Sequence, residues 1–151
     1  MRIAFGSDHA GYELKRTLMD YLAASGHECF DLGADTAETA SSYVPYSLKV
    51  AEGVAGGLYD RGVLICGTGL GISMTANKVR GIRAAVCTNE FMARMARQHN
   101  DANILALGAR VIGRGLALGI ADTFFCTEFE TGGRHQDRVD EILAAEARHM
   151  K

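Results

Sequence analysis

A chain of 151 residues with 48% apolar side chains suits one domain, 1–151, able to bury about two-thirds of its unfolded surface around a single core. Its 16 basic and 18 acidic side chains nearly cancel, which excludes a global field that would hold nucleic acid or an anionic membrane and leaves any anion to a local cluster. No apolar run approaches a membrane span, no cationic leader precedes Ile3, Ala4 and Phe5, and Cys29, Cys66, Cys87 and Cys126 lack the spacing of a disulfide scaffold or zinc site, so a reduced, cytoplasmic protein is expected.

Short apolar runs alternate with stretches of helical periodicity, the pattern of βα units that build a parallel sheet covered on both faces. Residues 2–5 read as the first strand. The turn that follows, Gly6-Ser7-Asp8-His9-Ala10-Gly11, puts a carboxylate and an imidazole at the carboxyl edge of the sheet, where ligands of open α/β sheets bind. Asp8 alone is equally suited to capping the next helix, whereas His9 has no such structural role. Leu14, Leu18, Tyr21 and Leu22 then recur at spacings of three and four, with Lys15, Arg16 and Asp20 around them, and Gly26 supplies the stop. Residues 28–32 form the second strand, and a helical stripe runs over 48–54.

The third strand, 62–65, opens directly into Cys66-Gly67-Thr68-Gly69-Leu70-Gly71-Ile72-Ser73. A strand, a glycine-rich turn and a helix start aim several backbone N–H groups at one spot, an anion cradle. A dinucleotide fingerprint would need a third glycine where Ile72 stands, a P-loop would need Gly-Lys-Ser/Thr, and a phosphatase loop would need an arginine closing the turn. A cysteine at a strand end is ordinarily a small buried apolar residue, but Cys66 enters the nest of amides, where the positive end of a helix favours a thiolate. A thiolate beside an oxyanion-stabilising loop suits proton abstraction from carbon next to a carbonyl.

The fourth and fifth strands are placed at 82–87 and 103–107. Between them Arg97-Gln98-His99-Asn100-Asp101-Ala102-Asn103 makes a polar knot whose ordinary reading is a turn. A catalytic His99, lying before its strand, would sit at the opposite sheet edge from Cys66. His99 and Asn100 are therefore expected to complete the site of a neighbouring chain, with a homodimer, or a tetramer built from it, as the functional unit. The stripes Leu116, Ile120, Phe124 and Val139, Ile142, Leu143 are read as core packing. Behind Gly132-Gly133, Arg134 and Arg138 stand four apart on one helical face; two guanidinium groups so placed make a phosphate clamp, although a solvated charged face is the default. Arg110, after the fifth strand, is a third donor.

Together these stretches, with Ala76-Asn77-Lys78, Gly81-Ile82-Arg83-Ala84 and Gly133-Arg134-His135, resemble the family of ribose 5-phosphate isomerase type B and the galactose 6-phosphate and allose 6-phosphate isomerases, across 3–146. The resemblance implies a three-layer Rossmann-like α/β domain with a five-stranded, mostly parallel sheet. It implies Cys66 as the base with Thr68 beside it, and Gly67, Gly69, Leu70 and Gly71 as amides for an enediolate. His99 would open the furanose ring, Asp8, His9, Tyr43 and Asn100 would contact the sugar, and Arg110, Arg134 and Arg138 would hold the phosphate. The partner implied is a small phosphosugar, with no metal or organic cofactor. Where the family commonly reads Asp-Tyr-Pro and then a polar or acidic residue, this chain has Ser42-Tyr43-Val44-Pro45-Tyr46, which alters the wall beside the sugar. The alternatives are an isomerase of a hexose phosphate or free sugar, and a non-catalytic phosphosugar-binding module.

Overall fold

The computed structural model describes residues 1–150; Lys151, the last residue of the expected domain, lies outside the described residues. The apolar runs become five strands: β1 (Arg2–Ser7), β2 (Glu28–Asp31), β3 (Arg61–Cys66), β4 (Ala84–Val86) and β5 (Ile104–Gly108). All pair in parallel, in the order β2-β1-β3-β5-β4. The continuous runs of β1, β3 and β5 are the central strands, buried on both faces, as near-uniform hydrophobicity requires. β2 and β4 are the half-exposed edges.

Among the described residues there are also six helices, α1 (Tyr12–Ala24), α2 (Val44–Ala55), α3 (Leu70–Ala76), α4 (Glu90–Gln98), α5 (Arg114–Cys126) and α6 (Arg134–His149), with a short 3-10 turn at His9–Gly11. Strand alternation divides the core. Phe5, Val63, Ile65, Leu105 and Leu107 face α1, α4 and α5 through Leu18, Leu22, Ala93, Ile120 and Phe124. Ala4, Leu64, Cys66, Ile104 and Ala106 face α2 and α3 through Val50, Ala51, Val54 and Ile72. Three layers result. Gly26 ends α1 as expected: at φ 91 it lets its own N–H reach Ala23 O while His27 N–H reaches Leu22 O.

Two expectations are corrected. Lys15, read as part of the polar face of α1, is wholly buried; its ammonium donates to Asp31 Oδ1 at 2.6 Å and Ala34 O at 2.7 Å, pinning the loop after β2. The stripes on α5 and α6 are only partly core: Leu116, Ile142 and Leu143 are 38%, 46% and 37% exposed, while Ile120, Phe124 and Val139 are buried. Periodicity locates an apolar face but not what covers it. α6 belongs to neither core cluster, and its Ile142 and Ala145 instead line, with Ile82, Ala84 and Met150, a groove of about 560 Å³ beside the β4 edge.

The chain leaves β1 through α1 on one face and β3 through α3 on the other. The carboxyl ends of these neighbouring strands therefore form the topological switch point, where a crevice opens between diverging connections.

Candidate active site

β3 ends at Cys66 and its chain turns through Gly69, whose φ of 80 is left-handed, before α3 starts at Leu70. The turn brings Gly69 N–H to Cys66 Sγ at 3.2 Å and Leu70 N–H to Thr68 Oγ1 at 3.3 Å. Two of the expected anion-binding amides thus serve the side chains of Cys66 and Thr68. Cys66 is 4% exposed and lines a cleft of about 290 Å³ together with Asp8, Tyr43, Gly67, Thr68, Gly71 and Arg110.

Each wall has a local cause. Asp8 both caps and lines: its Oδ1 accepts Gly11 N–H at 3.1 Å, fixing the carboxylate over the end of β1. Arg110 follows β5, its N–H donating to Gly67 O at 3.0 Å, so that the guanidinium lies over the glycine loop. Tyr43 precedes α2, where Pro45 occupies the first turn. Its ring covers Gly71 so closely that a Cβ there would lie 2.4 Å from Cζ.

His9 is held by a residue the sequence reading missed. Ser41 N–H donates to His9 Nδ1 at 3.1 Å and Ser41 Oγ accepts His9 N–H at 3.2 Å. With Nδ1 accepting, the neutral ring carries its proton on Nε2 and is a donor there. No local spacing signals this partner, because it comes from the far side of β2.

The other predicted residues lie elsewhere. α4 runs back from the end of β4 and delivers His99 and Asn100 to the amino-terminal edge of β5, opposite Cys66. Much of the polar knot is a structural turn. Arg97 is buried and bonds Asp101 Oδ1 at 2.8 Å and Ala102 O; Arg83 clasps Asp101, which adopts φ 45; Asn103 bridges Arg83 N–H and Gly81 O. His99 is outside this network and stacks on His135, with centroids 3.8 Å apart. Arg134 and Arg138 flank His135 in the first turns of α6, so they share the edge of His99 rather than the cleft of Cys66. One chain therefore brings together Asp8, Tyr43, Cys66, Gly67, Thr68, Gly71 and Arg110, and keeps His99, Asn100, Arg134 and Arg138 apart from them.

A thiol, a carboxylate and a guanidinium at the switch point of a parallel sheet define an α/β site for a small anionic substrate, with proton transfer as its accessible chemistry. The chain belongs to the Ribose/Galactose Isomerase family, whose model matches residues 3–142. It is 49% identical to ribose-5-phosphate isomerase B of Escherichia coli K12 over 97% of each chain. Among solved structures it is similar to the ribose-5-phosphate isomerase B of Clostridium thermocellum, with a TM-score of 0.95 and 57% identity over 99% of each chain. It is also similar to that of Mycoplasma genitalium with bound ribulose-5-phosphate, with a TM-score of 0.91 and 39% identity over 97% of this chain and 96% of that one.

Proposed function

We propose that this chain is an aldose–ketose isomerase that interconverts D-ribose 5-phosphate and D-ribulose 5-phosphate, with residues 1–151 as one catalytic domain. The observation that carries the reading is the Gly69 N–H aimed at Cys66 Sγ, at 3.2 Å, in a cleft that also holds Asp8 and Arg110. Cys66 as thiolate removes the proton from C2 of the open aldose, the C1=C2 bond forms, and the carbonyl pair moves to O1. The thiol then returns its proton to C1 while the O2 hydroxyl proton passes to O1, which balances the reaction without a redox partner. Thr68, and the N–H groups of Gly67 and Gly71, serve the enediolate oxygens. Asp8, His9 and Tyr43 contact the sugar, and Arg110 binds phosphate.

The ring-opening acid is His99, supplied with Asn100, Arg134 and Arg138 by a second copy of the chain: it protonates the ring oxygen O4 as the C1–O4 bond breaks and C1=O1 forms, and the anomeric hydroxyl gives its proton to water. Their position at the opposite sheet edge supports a homodimer with shared sites, as do the exposed Ile142 and Leu143. The relatives named for ribose 5-phosphate, one with bound ribulose-5-phosphate, support the pentose phosphate as substrate. The four free cysteines suit a reducing cytoplasm, and among the described residues no helix is long and apolar enough to cross a membrane.

The test is a coupled isomerisation assay on ribose 5-phosphate, with allose 6-phosphate and free ribose in parallel. Cys66→Ala should lower kcat on ribose 5-phosphate by about 10²–10⁴-fold, the contribution of a general base. Undiminished turnover in Cys66→Ala would remove the cysteine from the mechanism. Turnover of allose 6-phosphate or free ribose alone would keep the reaction and change the substrate.

A further inference from the structure

His99 and His135 lie face to face, their planes 7° apart and their centroids 3.8 Å apart. His135 is in the first turn of α6 and only 8% exposed. Behind it, Glu130 Oε2 stands 3.7 Å from His135 Nε2. Glu130 is itself tied to the end of α4: its N–H donates to Gln98 O at 3.0 Å, and its carboxylate accepts from the Gln98 amide. The end of α4, the loop between α5 and α6, and the turn carrying Arg134 are thus locked together around one imidazole pair. Among the described residues no hydrogen bond holds the His99 ring, so the stack is the contact that orients it.

We propose that His135 is a positioning residue for His99: its ring, seated by its own burial in the first turn of α6, fixes the plane in which His99 presents a proton to the ring oxygen of a furanose phosphate. This rests on the reading of His99 as the ring-opening acid. An acid must meet its acceptor within hydrogen-bond reach and along the right direction, and a half-exposed imidazole at a helix end is free in both torsions unless something flat packs on it.

The charges around the pair agree. His99 comes from α4, Glu130 from the preceding loop, and Arg134 and Arg138 from α6. Burial first, then His99, then Arg134 push His135 below the ordinary imidazole value, with Glu130 opposing. His135 is therefore favoured as the neutral ring, in keeping with the repulsion that two imidazolium rings stacked this closely would suffer. The same three residues offer ligand atoms within 4.8 Å of one another, but the lone pairs of parallel stacked rings lie in separate planes and do not converge on one ion, and two arginines adjoin them.

The experiment separates ring opening from proton transfer. Ribose 5-phosphate is a furanose and must be opened. Ribulose 5-phosphate cannot close, because its C5 oxygen is esterified, so solvent deuterium exchange into its C1 position needs Cys66 but no ring-opening acid. His135→Ala should lower kcat/KM on ribose 5-phosphate by about tenfold or more, a part of what a general acid contributes, while exchange into ribulose 5-phosphate stays within about twofold of the unmodified enzyme. His135→Phe, which keeps a flat ring against His99, should restore most of the lost turnover. His99→Asn is the reference and should lose turnover but keep exchange. Equal loss of turnover and exchange in His135→Ala, or no loss of turnover, would overturn the positioning role while leaving His99 its own. Full ribose 5-phosphate turnover in His99→Asn would overturn the reading of His99, and the proposal with it.

Discussion

Gly69 N–H at 3.2 Å from Cys66 Sγ shows how much of the site is decided by single contacts. The residues legible in the sequence are those whose role follows from a place in a short motif: Cys66 at a strand end before glycines, Asp8 in the turn after β1, Arg110 just past β5. Those not legible depend on a contact between distant segments. Ser41 fixes the His9 tautomer from 32 positions away, and His135 meets His99 only because α6 folds back. The histidines also set a pH dependence. Burial, and then the nearby amino terminus, lower the affinity of His27 for a proton, and His135 is lowered as well. The unfolded chain therefore binds more protons than the folded one, so stability is full above the ordinary imidazole value of about 6.5 and falls as pH drops through it. Asp60, held down by Arg2, contributes in the same sense but loses its share only below the ordinary carboxylate range. Melting temperatures at pH 7.5 and 5.5 should accordingly decline, and His27→Gln should shrink the decline. A decline of unchanged size in that variant would rule His27 out as a source.

Among the elements, the five strands were readable because each central strand is an unbroken apolar run of β length, and all five fall where those runs lie. The stripes of α5 and α6 misled in part because a sequence shows the same pattern for a face covered by its own sheet and for one left at the surface. Close approach between elements was invisible for a related reason: a glycine says that space is short, not where. Gly11 starts α1 in an ordinary right-handed conformation, so its need is purely steric; a Cβ there would lie 2.5 Å from Ile65 O and 2.8 Å from Ile65 C. Backbone would have to yield to backbone, lifting the Asp8 turn from β3. Gly11→Ala should cost about 1–3 kcal/mol, as overpacking does, and should lower activity with it. Gly115→Ala, in α5 with nothing within 4 Å of a new Cβ, should be neutral or stabilise by up to about 1 kcal/mol. Urea unfolding midpoints at constant m-value decide the comparison, and equal midpoints for the two variants would refute the steric account.

At the scale of the whole molecule the topology divides the chemistry. Parallel strands send every βα turn to one edge and every αβ turn to the other, so Cys66 and His99 cannot share an edge within a chain. Strands of five or six residues put those edges about 17–20 Å apart, a gap that no five-carbon phosphosugar spans. If a second copy brings its His99 edge to the Cys66 cleft, each site takes one residue from each chain, and symmetry makes two such sites in a dimer. Co-refolding Cys66→Ala with His99→Asn then gives mixed dimers in which one site carries both lesions and the other carries neither. Two inactive proteins should together recover about a quarter of the unmodified activity, because half of randomly paired dimers are mixed and half of their sites are intact. Sites contained within single chains would give no recovery at any mixing ratio. Recovery that rises and falls with the mixing ratio, greatest at equal amounts, would identify the dimer as the unit that opens the ring and moves the proton.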